Sequence, residues 1–230
     1  KVNGKLFVKN GLPLKGITYG IEDHSDYSVQ NIKIKNGAYV FDVKTPKTVL
    51  KDFQFNLPGR HNLSNALIAL AMAVEYGCPY RQLAEALASY KGVKRRFTYQ
   101  IKTEDFVFID DYAHHPEEIN AVYQAIREMY PGKKIVAIFQ PHLFSRTRDF
   151  ADDFAKSLSQ FDEIMLLDIY PARELPIEGI TSKWLLDKVK NPNKQLISKN
   201  EIVSKIHQSK ADILLTIGAG DIGEEVKHIK

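Results

Sequence analysis

The stretch Phe106-Val107-Phe108-Ile109-Asp110-Asp111-Tyr112-Ala113-His114-His115-Pro116-Glu117-Glu118 decides how this chain is read. Its first four residues are an apolar run of the length of a buried strand. The helical pattern behind it begins at the proline, a residue pre-set for the first helical position. Two carboxylates and two imidazoles therefore leave the end of a strand and meet the start of a helix. In an open α/β sheet, that is where ligands bind.

Downstream the rhythm repeats. Strands are predicted at 97–102, 106–110, 134–139, 163–168 and 212–217, with a short one near 195–197. Helices are predicted at 116–130, 146–160, 181–190, 199–208 and 221–229. Strands separated by helices of this length imply βαβ units and a mostly parallel sheet. Phe150, Phe154 and Leu158 read as a core stripe, and Trp184 as packing on the helix at 181–190. Parallel strands bring the loops behind them to one edge, and two more of these loops are polar: Gln140-Pro141-His142-Leu143-Phe144-Ser145-Arg146-Thr147-Arg148-Asp149 and Asp168-Ile169-Tyr170-Pro171-Ala172-Arg173-Glu174. Arg146 and Arg148 suit a carboxylate or phosphate, which guanidinium grips in two places. An ion pair with Asp152, four residues on, is the favoured reading of Arg148. His114 and His115 read as ligand contacts, although His115-Pro116 also reads as a bare cap followed by the first helical residue.

Gly218-Ala219-Gly220-Asp221-Ile222-Gly223 matches G-x-G-x-x-G, follows a strand and opens a helix. The sequence stops at Lys230, so the acidic residue expected about 20 positions later is not in it. The motif is read as a tight turn lining the same crevice, with dinucleotide binding as the lesser alternative.

Upstream, Lys91-Gly92-Val93-Lys94-Arg95-Arg96 is a basic joint, and a domain boundary is placed there, dividing 1–92 from 93–230. Its bland reading is a solvated linker; the sharper one sets an arginine on a nucleotide. Before the joint, a helix runs from Pro79 to about Tyr90 with Leu83, Ala84, Leu87 and Ala88 on one face. Another follows Asn62, a good N-cap, with Leu63, Ala66, Leu67, Leu70 and Val74 at helical spacing and Gly77 as the stop. His61, Asn62 and Asn65 gather at its start, where helix N–H groups favour negative charge; capping accounts for Asn62 alone. Earlier still, Asn36-Gly37 is a hairpin signal between two alternating runs, 28–34 and 38–43. This first region reads as a small antiparallel sheet. His24 between Asp23 and Asp26 reads as a solvated loop, without metal-ligand spacing.

The bulk numbers are those of an ordinary globular protein: 230 residues, 44% hydrophobic, 26% charged, net charge +4. No Lys/Arg block points to nucleic acid. The longest apolar run, Ala66 to Val74, is too short for a bilayer. Cys78 is the one cysteine, so no intrachain disulfide forms, which fits a reducing cytoplasm. The chain opens at Lys1 on a polar, irregular segment, which suggests a fragment or a processed product.

Taken in order, these motifs resemble the ATP-dependent Mur ligases of peptidoglycan synthesis. Gly59-Arg60-His61-Asn62-Leu63-Ser64-Asn65-Ala66 resembles the family's H-N-x-x-N-A segment. Asp110 to Pro116, Phe139-Gln140-Pro141-His142 with Ser145 to Asp149, Asp168 to Glu174 and Gly218 to Asp221 are similar to its alanine-adding branch. The resemblance implies an α/β protein: a C-terminal Rossmann-like, mostly parallel sheet with flanking helices, behind the later part of a central ATPase domain. No G-x-x-x-x-G-K-[ST] occurs in these 230 residues, so the phosphate-binding loop of that central domain is not among them. The implied reaction joins L-alanine to UDP-N-acetylmuramate through an acyl phosphate, with ATP and Mg2+ held mainly by the missing part of the chain. By the same resemblance, His61, Asn62 and Asn65 meet adenine, and Arg96 and Asp111 meet ribose or phosphates. His114, His115 and Arg146, with His142 beside them, hold the amino acid's carboxylate and orient its amine, His115 and Arg146 being the catalytic pair. Leu143 stands where some members carry arginine, which bears on the detail of that carboxylate clamp. The alternatives are a murein peptide ligase, which adds a recycled tripeptide to the same sugar acid, a dinucleotide-binding module, and a metal hydrolase built on Asp110, Asp111, His114 and His115.

Overall fold

The computed structural model describes residues 4–229; the opening Lys1–Asn3 and the last residue lie outside the described residues. The chain forms two compact units, Lys1–Lys91 and Gly92–Lys230.

In the first unit, strands β1 (Phe7–Lys9), β2 (Ile17–Ile21), β3 (Tyr27–Lys35), β4 (Ala38–Lys44) and β5 (Val49–Phe55) make one sheet in that order, followed by helices α1 (Arg60–Tyr76) and α2 (Tyr80–Ser89). Asn36 and Gly37 both have positive φ (53° and 72°), the twist a two-residue hairpin needs. The pair β3–β4 is antiparallel as the Asn36-Gly37 turn predicts, and β4–β5 is antiparallel too, but β1–β2 and β2–β3 are parallel. Alternation tells which side chains share a face, not which way a neighbouring strand runs. Only the Asn36-Gly37 turn carried directional information.

Helix α1 buries Leu63, Ala66, Leu67, Leu70 and Ala71; Val74 is half-buried, and Ala71 takes the place expected for it. Its cap is Gly59 rather than Asn62. Gly59 sits at φ 99°, ψ 130°, a region that side chains avoid, and donates its N–H to the Tyr39 hydroxyl (3.1 Å). The helix thus starts earlier than expected, and Asn62 lies in its first turn, donating from Nδ2 to the Pro58 carbonyl (2.7 Å). Gly77 closes the helix in the left-handed conformation, as predicted.

The second unit contains β6 (Thr98–Lys102), β7 (Val107–Asp111), α3 (Pro116–Met129), β8 (Ile135–Phe139), α4 (Phe144–Asp149), α5 (Ala151–Leu158), β9 (Glu163–Leu166), α6 (Ser182–Lys188), β10 (Lys194–Leu196), α7 (Ile202–Ser209), β11 (Ile213–Ile217) and α8 (Ile222–Glu225). Short 3-10 turns, Lys199–Glu201 and Val226–His228, adjoin the last two helices. The sheet order is β10-β9-β8-β11-β7-β6, parallel except for β6 at the edge. All five residues of β7, β8 and β11 are buried, because helices cover both faces of a parallel sheet. Alternate strand residues supply two cores. Ile109, Ala137, Phe139 and Leu215 meet Ile119 of α3, Phe154 of α5 and Leu185 of α6. Phe108, Val136, Ile138 and Leu214 meet Ile202 of α7 and Ile222 of α8.

The helix expected at 146–160 is two helices, broken at Phe150 (φ −114°, ψ 22°). The break turns Phe150 off the core stripe that Phe154 and Leu158 keep. It is 36% exposed and meets the His115 ring edge-on at 4.6 Å. The helix expected at 221–229 is one α-turn followed by a 3-10 turn.

Candidate functional site

The parallel register sets the ends of β7, β8, β9 and β11 along one edge. His114 leaves the β7 end. His142 leaves the β8 end and is bridged to Tyr170 behind β9, an arrangement held by Leu143 N–H to Tyr170 O (3.0 Å) and Tyr170 N–H to Pro141 O (2.8 Å). The His142 ring stacks on Tyr170 (5.7 Å between centroids) and lies 6.0 Å from His114, whose ring meets Tyr112 edge-on at 5.5 Å. Arg146, in α4, places Nη1 3.2 Å from His142 Nδ1. Burial and the charge of Arg146 hold His142 below its usual value of 6.5, so it is neutral at pH 7 and its Nδ1 accepts from Arg146. Arg146 is half-buried, and among the described residues no carboxylate lies within ion-pair distance of it.

The nearby carboxylates are committed. Glu174 accepts from Ser145 N–H (3.0 Å) and from the Ser145 hydroxyl; those bonds hold it ionised. Glu118 accepts from His114 N–H (2.9 Å) and lies 3.4 Å from His114 Nδ1 and 3.7 Å from Arg96. Burial raises it, but the His114 N–H and the charges of His114 and Arg96 outweigh that and leave it low. Arg148 pairs with its neighbour Asp149 (2.8 Å), not with Asp152, which instead pairs with Lys188. The helix break at Phe150 interrupts the four-residue spacing that the expected pair requires.

The structure brings together His114, His142 and Arg146. It sets His115 apart, as the residue before α3, with its ring on Phe150. Asp111 is buried, and its two oxygens accept the N–H groups of Phe97 (2.7 Å) and Ala113 (2.7 Å). Burial nevertheless raises its carboxyl to about 6. Asp110 accepts from Arg95 Nε (3.1 Å) and the Thr216 hydroxyl (2.9 Å). The two aspartates and two histidines therefore do not converge, and the described residues contain no group of three or more His, Cys, Asp or Glu that could hold a metal ion. Arg96 is half exposed beside Tyr112 (5.8 Å). In the first unit, His61 and Asn65 are exposed and Asn62 half-buried on the first turns of α1. At the other end of the chain the loop expected at His24 is organised by its acids: Asp23 accepts from Ser25 N–H (3.0 Å) and Asp26 from Thr18 (2.8 Å).

The glycine motif is filled by the protein itself. A Cβ on Gly220 would lie 2.4 Å from Gln140 Oε1, and one on Gly223 would lie 2.5 Å from Arg95 Cζ. The Ile222 N–H at the helix start already donates to Gln140 Oε1 (2.9 Å), and Gln140 Nε2 donates to Asp221 (2.7 Å). The glycines that would admit a pyrophosphate here admit Gln140, Tyr170 and Arg95. Sequence reasoning missed Arg95 and Glu174: the first is one of two adjacent arginines, and the second acts through a contact 29 residues away.

Residues 95–220 match the family model described as Mur ligase, glutamate ligase domain, and residues 7–73 match the Mur ligase middle domain. The chain belongs to the Mur ligase family. Among curated Mur ligases, the UDP-N-acetylmuramate–L-alanine ligase of Flavobacterium psychrophilum is 67% identical over 98% of this chain and 50% of that protein. That of Christiangramia forsetii is 64% identical over 99% of this chain and 50% of its own length. The crystal structure of the UDP-N-acetylmuramate–alanine ligase from Thermotoga maritima superimposes with a TM-score of 0.76 at 26% identity, covering 93% of this chain and 46% of that one. The chain spans about half the length of the curated Mur ligases it matches. Among the described residues no helix is long and apolar enough to cross a membrane.

Proposed function

We propose that this chain is part of an ATP-dependent ligase that joins L-alanine to UDP-N-acetylmuramate in peptidoglycan synthesis. Residues 1–92 are the later part of its central domain and 93–230 its C-terminal domain. The observation that carries the reading is Arg146: a half-buried guanidinium without an acidic partner among the described residues, bonded to a neutral histidine. Such a group is completed by an anionic ligand, and a carboxylate suits its fork. The 67% and 64% identical relatives, both UDP-N-acetylmuramate–L-alanine ligases, favour L-alanine as that ligand.

In this reading Arg146 and the imidazoles of His114 and His142 bind the alanine carboxylate, which leaves the amine free to attack. The proposal rests on Arg146 rather than on His115, whose ring is held by Phe150. Bound ATP supplies the activation of the muramoyl carboxyl as an acyl phosphate. The chain's own residues do not fit the whole of that group: the phosphate-loop pattern is absent from the sequence, and no metal-holding cluster occurs among the described residues. What the first unit offers a nucleotide is the polar surface of His61, Asn62 and Asn65; the second offers Arg96, with Asp111 shaping the loop rather than reaching out of it. The reaction proceeds in the cytoplasm, where its nucleotide substrates are made.

The test is turnover by the full-length protein with ATP, UDP-N-acetylmuramate and either L-alanine or the recycled tripeptide. L-Alanine is the expected substrate. Turnover with the tripeptide alone reassigns the protein to murein peptide recycling, and NAD binding without any effect of ATP removes the ligase reading.

A further inference from the structure

We propose that Arg95 is a positioning residue for the amino-acid site: its guanidinium locks the ends of β7 and β11 together and, through the Tyr112 ring, sets the place of His114. The inference rests on the ligase reading above and deepens it.

Arg95 sits in a strained segment. Its φ is +60° and that of Phe97 is +48°, both in the left-handed region that costs a side-chain-bearing residue about 1 kcal/mol or more. The strain has two consequences. It aims the Phe97 N–H at Asp111, and it turns Arg95 inward, where its side chain is 18% exposed. There Nε donates to Asp110 (3.1 Å) at the end of β7. Nη2 donates to the Gly218 carbonyl (2.6 Å) and Nη1 to the Gly220 carbonyl (3.4 Å), both just past the end of β11. One planar fork thus spans two adjacent strand ends, which a lysine's single ammonium cannot do.

The same guanidinium lies over Tyr112, 5.1 Å from the ring centroid, and the Arg95 carbonyl accepts the Tyr112 N–H (2.7 Å). Tyr112 in turn meets His114 edge-on, and its carbonyl lies 2.9 Å from His114 Nδ1. A continuous row of contacts therefore runs from the glycine turn through Arg95 and Tyr112 to His114. This also gives the glycine motif a purpose: Gly223 lacks a side chain because the Arg95 guanidinium occupies that space. Tyr112, on which Arg95 stacks, is the link that carries this row to His114.

Two variants displace the same group by different routes. Arg95→Lys removes the fork, and Gly223→Ala pushes a methyl into it. In the full-length protein both should raise the KM for L-alanine about tenfold, the equivalent of about 1.4 kcal/mol, while the KM for ATP changes less than about twofold. Both should also shift the imidazole signal of His114 in selectively labelled protein. A lowered Tm with the L-alanine KM unchanged overturns the proposal, as does a KM that rises equally for both substrates. Should the unmodified full-length protein not use L-alanine at all, the ligase reading fails separately. The His114 signal then decides for Arg95, and an unshifted signal in both variants overturns its role.

Discussion

Replacing Asp111 by asparagine sets two opposing forces at one buried carboxyl against each other. Burial raises the group from 3.8 to about 6, while the N–H groups of Phe97 and Ala113, each 2.7 Å away, favour its ionised form. Because the folded value lies above the unfolded one, the folded state holds the proton more tightly. The stability this contributes is complete below pH 3.8 and is lost as pH rises through about 6. At ~1.4 kcal/mol per pH unit, the displacement amounts to about 3 kcal/mol. Asp111→Asn has nothing to titrate there, so the unfolding free energy of the wild type relative to the variant should fall by about 2 kcal/mol from pH ~4 to pH ~7. At any one pH the variant also carries an offset of about 1–3 kcal/mol, because the amide can accept only one of the two N–H groups. Urea unfolding followed by tryptophan fluorescence measures this. Trp184 is the only tryptophan and packs against the core of the second unit, so it reports on that unit. A difference that stays constant across this range, or grows with pH, would show that the two N–H bonds outweigh burial and would refute the reasoning.

Arg146→Lys keeps the charge but loses the fork, and should raise the KM for L-alanine of the full-length protein by about tenfold or more in steady-state assays. Gly220→Ala forces a methyl into Gln140 and Tyr170, and should cost about 1–3 kcal/mol in denaturant unfolding of this chain. Residues 1–230 alone should form no alanine adduct with ATP and UDP-N-acetylmuramate present; product detected by mass spectrometry would contradict the assignment of phosphate binding to the rest of the protein.

The parallel core was legible from the sequence because β7, β8 and β11 are buried on both faces and so read as largely apolar runs, interrupted only by Asp110, Asp111 and Thr216. That the loops carrying His114, His142 and Arg146 share one edge was legible for a related reason: parallel strands deliver their following loops to one edge. The helix break at Phe150 was not, since an unbroken apolar stripe with no glycine or proline looks the same as a continuous helix. Nor was the direction of β1 and β2, whose connections carry no two-residue turn signal.

Composition and periodicity determined the layered α/β architecture, because burial on a sheet or helix face is a local pattern written into neighbouring residues. The opening run, Phe106 to Glu118, was enough to place a polar cluster at a strand end. Which of those polar residues gather at the edge and which are used inside the protein was decided only in three dimensions. Asp110 and Asp111 turned inward to Arg95, Thr216 and two backbone N–H groups, and His115 turned to Phe150, leaving His114 with His142 and Arg146. Those partners lie up to 106 residues away along the chain. A charged side chain settles on whichever partner relieves the cost of its burial, and that choice exists only once distant segments have packed together.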